Sequence, residues 1–92
     1  MSQVTIYTTQ HCPYCVSAKR LLSNKGVIPL EFDIEDSPQY LAEMLQRSRR
    51  RTVPQIFVGD VHVGGFDDLA SLDRTGGLEA LLGAKRQGQL LP

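Results

Sequence analysis

The order of hydrophobic and polar positions switches between two periods along the chain. Val4-Thr5-Ile6-Tyr7 is a run of β-branched and aromatic residues, the pattern of a strand. From Pro13 to Asn24 the apolar positions fall at helical spacing: Cys15, Ala18 and Leu22 share one stripe and Leu21 lies beside it. Pro13 suits the first position of a helix, and Lys25-Gly26 supplies a left-handed stop. Ile28 to Ile34 returns to period two, with Leu30, Phe32 and Ile34 on one face. Ser37-Pro38 opens a second helix, with Ser as cap and Leu41, Met44 and Leu45 as its buried face. Arg47 to Arg51 follows as a basic run. Val53 to Val58 reads as a third strand, with Pro54 near its start, where a missing N–H is tolerated. Gly59-Asp60 turns the chain tightly into a fourth strand, Val61-His62-Val63. Gly64-Gly65 breaks it, Asp67 to Arg74 reads as a helix with Leu69 and Leu72 inward, and Leu78 to Leu82 as a further turn or two.

This order is a βαβ unit, a helix, a β-hairpin and a final helix. The βαβ unit makes its strands parallel with a right-handed crossover, while the hairpin adds an antiparallel pair. The expected fold is α/β: a four-stranded mixed sheet covered by helices on both faces. Residues 1–84 form one domain in this reading and 85–92 a short polar tail. The chain shows no internal repeat and no low-complexity segment.

Composition narrows the function. Ten basic residues balance ten acidic ones, which argues against binding nucleic acid or a membrane surface through bulk charge. No apolar run approaches the roughly 20 residues that span a bilayer. Met1 to Thr9 lacks the basic flank and apolar stretch of a secretory signal, so the expectation is a cytoplasmic protein. Two cysteines are too few for a disulfide scaffold. In a reducing compartment a close pair is more often catalytic or metal-binding.

The pair is Cys12-Pro13-Tyr14-Cys15. Residues three apart on a helix have Cβ atoms roughly 5–6 Å apart, and a disulfide needs Cα atoms about 4.4–6.8 Å apart. The bond can therefore open and close with little backbone movement. Cys12 lies at the helix start, where free N–H groups and the positive dipole end favour a thiolate. Cys15 lies one turn further in, on the inward face, and is expected to act second. Two other readings stand beside this one. A pair of inert core thiols conflicts with the place of Cys12 at a strand–helix junction. Half a zinc site would need four ligands, and only His11 and His62 remain as candidates. No metal is expected.

The chain resembles the glutaredoxins, in particular their bacterial dithiol type. Four segments carry the resemblance: Cys12-Pro13-Tyr14-Cys15, Thr52-Val53-Pro54-Gln55-Ile56-Phe57, Gly64-Gly65-Phe66-Asp67-Asp68 and Gly76-Gly77-Leu78. It covers roughly residues 3 to 83. It implies a thioredoxin-like fold and a glutathione-dependent disulfide oxidoreductase, with glutathione as reducing co-substrate. Disulfide-containing or glutathionylated proteins would be its partners, a ribonucleotide reductase being one candidate, and the protein would act as a monomer. The resemblance also implies a cis peptide before Pro54, facing the cysteines. Val53 would pair with the glutathione backbone as an added strand, and Asp67 and Asp68 would meet its amino group. Backbone N–H groups after Gly64-Gly65 would hold the γ-glutamyl carboxylate. Tyr14, Thr52, Gly65 and Phe66 would complete the glutathione site. Plain alternatives exist for several of these: a trans proline at a strand edge, Asp as a helix cap, and Tyr14 as an exposed rim residue.

The chain departs from the family at Thr9, where glutaredoxins commonly carry a lysine that holds the glycine carboxylate of glutathione. His11, if protonated, and the run Arg47, Arg49, Arg50 and Arg51 offer substitutes, with Arg51 favoured because it adjoins Thr52. Arg47 and Arg49 read instead as a solvated helix end suited to the dipole. Phe66 stands where several relatives carry a polar residue or cysteine. The competing functions are a thioredoxin-like reductase fed by a flavoprotein, and an iron–sulfur cluster carrier of the kind whose single active-site cysteine precedes Gly-Phe-Ser.

Overall fold

A computed structural model describes residues 3–90, with side chains through Gly83. The elements are β1 Val4–Thr8, α1 Pro13–Asn24, β2 Leu30–Asp33, α2 Pro38–Ser48, β3 Gln55–Val58, β4 Val61–Gly64, α3 Phe66–Arg74 and α4 Gly77–Leu90. The sheet order is β2-β1-β3-β4. β1 runs parallel to β2 and antiparallel to β3, and β3 pairs antiparallel with β4. This is the mixed sheet that the βαβ-plus-hairpin order requires.

All five residues of β1 are buried, which marks it as a central strand covered on both faces. Its alternate side chains feed two cores. Val4 and Ile6 join Ile56 and Val58 against Ala18, Leu22, Leu69, Leu78 and Leu82, on the face covered by α1, α3 and α4. Tyr7 joins Phe57 and Met44 on the α2 face, with Phe32, Ile34, Leu41, Leu45 and Val53 packed around them. Period two in the strands thus sends neighbouring residues to opposite layers.

Three elements differ from those expected by two residues or more at one end. β2 is shorter than Ile28–Ile34, because Ile28 is 94% exposed and Leu30 lies half out at the sheet edge. β3 begins at Gln55 rather than Val53, since the two preceding residues form a loop around a cis Val53–Pro54 bond. α4 runs from Gly77 to Leu90, well beyond the turn or two expected over Leu78–Leu82. The tail expected from residue 85 lies outside the described residues in its side chains, as do residues 91–92 entirely. No helix among the described residues is long and apolar enough to cross a membrane.

Candidate active site

Cys12 is the cap of α1, with extended backbone, and Pro13 occupies the first helical position. Pro at that position loses nothing, because its N–H would have no intrahelical partner. The Cys12 Sγ accepts the Cys15 backbone N–H at 3.1 Å, the bond that a serine or aspartate oxygen makes in an ordinary cap. The first turn of α1 holds no acidic residue to compete for the dipole. Cys12 and Cys15 are joined by a disulfide with Cα atoms 5.2 Å apart. Cys15 is buried at 1% exposure on the core stripe, whereas Cys12 keeps 8% at the rim. Both cysteines are thus buried, Cys15 the more deeply.

Facing Cys12 is the loop before β3. The Val53–Pro54 peptide is cis, as the resemblance implied, and Pro54 is buried. The Val53 carbonyl oxygen lies 3.8 Å from the Cys12 Sγ. The third side is the start of α3. Gly64 has φ +114, a conformation that side chains rarely adopt, and a Cβ built there would collide with Asp68. Gly65 caps α3, and its N–H donates to Asp68 Oδ2 at 2.9 Å. Asp68 Oδ2 also accepts from Arg50 at 3.1 Å. The Gly65 N–H first, and the Arg50 guanidinium after it, hold the Asp68 carboxyl below its usual range.

Between these elements lies a groove of about 210 Å³, lined by Tyr14, Thr52, Val53, Pro54, Gly65, Phe66, Asp67 and Asp68. Tyr14, 63% exposed, stacks on Phe66 at 6.2 Å between ring centres, so α1 and α3 form one aromatic wall. Arg51 is exposed and lies outside this lining. The arginine that reaches α3 is Arg50, through Asp68. Arg47 is no merely solvated helix end: it donates to Tyr7 Oη at 3.0 Å and lies 4.0 Å over the Phe57 ring. Arg49 ends α2 at φ +61. His11 is exposed. Among the described residues no group of three or more His, Cys, Asp or Glu is placed to hold a metal ion.

One polar contact was not anticipated from the sequence, where Gln55 had no role of its own and His62 only that of a candidate zinc ligand. Gln55 is fully buried and His62 is half-buried beside it, their side chains 2.8 Å apart. Burial, then the Arg50 charge, lowers the His62 pKa, partly offset by Asp68. A polar residue between Pro54 and the apolar run Ile56-Phe57-Val58 was the only available signal.

A sulfur pair that opens and closes at a helix start, beside a groove, is suited to thiol–disulfide exchange. The molecule is a thiol–disulfide oxidoreductase on a thioredoxin-like fold. The glutaredoxin family model matches residues 4–63. Glutaredoxin 3 of Escherichia coli is 52% identical over 82 residues, covering 89% of this chain and 99% of its own. A solution structure of glutaredoxin from Brucella melitensis superposes with a TM-score of 0.77 at 52% identity, covering 89% of both chains. A crystal structure of a buckwheat glutaredoxin–glutathione complex superposes at 0.81 with 27% identity, covering 90% of this chain and 78% of that one. The chain belongs to the glutaredoxin family.

Proposed function

We propose that the protein uses glutathione to reduce glutathione–protein mixed disulfides and protein disulfides, with Cys12 as nucleophile and Cys15 as resolving thiol. The observation that carries this reading is the groove beside Cys12, which joins an unpaired loop backbone at Val53 to a helix N-terminus at Asp67 and Asp68. Glutathione presents the complementary parts: a peptide unit, a carboxylate and an ammonium group. The Val53 backbone takes the peptide as an added strand. N–H groups at the start of α3 take the γ-glutamyl carboxylate, and Asp67 and Asp68 take the ammonium. Tyr14 and Phe66 close one wall, and Thr52, Pro54 and Gly65 form the floor. Arg51, exposed next to Thr52, provides the charge for the glycine carboxylate.

In the one-thiol route, Cys12 thiolate attacks the glutathione sulfur of a mixed disulfide. The Cys12–glutathione bond forms, the old S–S bond breaks, and the protein thiolate leaves and takes a proton. A second glutathione thiolate then attacks the bound glutathione sulfur, releasing oxidised glutathione and regenerating the Cys12 thiolate. In the two-thiol route, Cys12 attacks a protein disulfide and Cys15 displaces the mixed intermediate. Two glutathiones reduce the resulting Cys12–Cys15 bond. Glutaredoxin potentials of about −200 to −230 mV lie near the glutathione pool of the cytoplasm, so both directions are open.

The test is turnover of a glutathionylated protein with glutathione or a flavoprotein reductase as sole electron donor. Glutathione should sustain turnover in the wild type and in Cys15→Ser but not in Cys12→Ser. Turnover with the flavoprotein alone, or activity that follows Cys15, would refute the proposal.

A further inference from the structure

Gln55 sits at the first position of β3, fully buried, in a layer otherwise occupied by Tyr7, Phe57 and Met44. A buried amide is expected to have its polar atoms satisfied, and here all its partners point toward the site loop or His62. Gln55 Nε2 donates to the Thr52 carbonyl oxygen at 3.0 Å and to Thr52 Oγ1 at 3.2 Å. A carbonyl oxygen only accepts, so the amide nitrogen must face Thr52 and the amide oxygen must face His62. The 2.8 Å contact between Gln55 Oε1 and His62 Nε2 then requires a hydrogen on Nε2. Neutral His62 is thereby fixed as the Nε2–H tautomer. Protonation adds its proton at Nδ1 and leaves this bond in place. The imidazole is steadied by stacking on Phe57, 4.8 Å between ring centres, directly across the β3–β4 pairing.

The chain of bonds ends on the loop that faces Cys12. The Thr52–Val53 peptide is trans, so its C=O and N–H point in opposite directions. Holding the Thr52 carbonyl inward on Gln55 turns the Val53 N–H outward, and Val53 lines the groove. That N–H makes no hydrogen bond among the described residues. We propose that Gln55 is a positioning residue, held by His62, which sets the Val53 N–H for pairing with the backbone of bound glutathione. This rests on the glutathione reading above and adds the two residues that orient its peptide contact.

Gln55→Met keeps the chain length and removes all three bonds, while His62→Phe keeps the ring stack and removes one. With a glutathionylated peptide as substrate, Gln55→Met should raise KM about tenfold and His62→Phe about threefold, as expected for loss of a few net hydrogen bonds. kcat and the rate of Cys12 alkylation should stay within about twofold, because the sulfur itself is untouched. Nitrogen NMR should show His62 as the Nε2–H tautomer. The Val53 backbone order parameter should fall from about 0.85 toward about 0.6 in Gln55→Met. The NMR readouts need no glutathione, so they judge the loop even if wild-type turnover proves independent of it. An Nδ1–H tautomer, or a folded Gln55→Met with unchanged KM and a rigid Val53, would overturn the proposal. Should Gln55→Met fail to fold, His62→Phe decides on KM and the Val53 order parameter, with the His62 tautomer read in the wild type.

Discussion

Two helices begin at the groove, and their first turns use the same physics for different ends. At α1 the cap atom is the Cys12 sulfur, which takes the Cys15 N–H, and no acid stands in the first turn. At α3 the cap is Gly65, which has no side chain, and the acids Asp67 and Asp68 fill the first turn. Asp68 folds back on the Gly65 N–H and holds Arg50. A helix start attracts negative charge through its unpaired N–H groups and dipole. α3 supplies part of that charge itself, through Asp68 on the Gly65 N–H, and its first turn still lines the groove. α1 leaves the place to sulfur, which gains by becoming an anion. The contrast separates a helix end organised in advance by its own carboxylate from one whose cap atom reacts.

The largest expected effect comes from breaking the α1 side. Cys12→Ser should lower glutathione-dependent turnover by about 10³-fold or more, as removal of a nucleophile commonly does, while thermal melting of the reduced protein changes little. Next is the α3 side. Gly64→Ala forces a side chain into φ +114 and against Asp68. It should cost about 1–3 kcal/mol in urea unfolding, and the Cys12 alkylation rate should stay near wild type if the two helix ends are independent. Asp68→Ala removes the Gly65 and Arg50 contacts and should cost about 1 kcal/mol by the same measurement. The smallest effect is a pH dependence. Asp68 has a folded pKa below its unfolded value of 3.8, so its contribution is present above that pH and is lost as pH falls through the folded value. Acid unfolding of Asp68→Asn should lack that portion of the slope. A wild-type slope in Asp68→Asn would show that the start of α3 is not organised by this carboxylate.

Much of this arrangement was legible in the sequence. Cys15, Ala18 and Leu22 fall on one buried stripe because helical period alone decides it. Of the residues expected at the glutathione site, the groove gathers Tyr14, Thr52, Val53, Pro54, Gly65, Phe66, Asp67 and Asp68, since local turns bring short motifs to one end of the sheet. Long-range side-chain contacts were not legible. Which of the arginines after Arg47 meets α3 depends on where α2 stops, at the left-handed Arg49, and no periodicity encodes that. The role of Gln55 was hidden because the loop around the cis Val53–Pro54 bond sets its contact with Thr52, and the hairpin pairing of Phe57 with His62 sets its contact with His62. The exposure of Ile28 was missed for a related reason: period two marks a strand but not where the neighbouring strand ends.

On α1 a sulfur replaces the usual oxygen cap and is stabilised there as an anion. Titrating thiolate absorbance near 240 nm in reduced wild type and Cys15→Ser tests it directly. The Cys12 thiol should titrate clearly below a free cysteine, because the helix start favours its anion. A Cys12 thiol that titrates like a free cysteine, or above it, would contradict this.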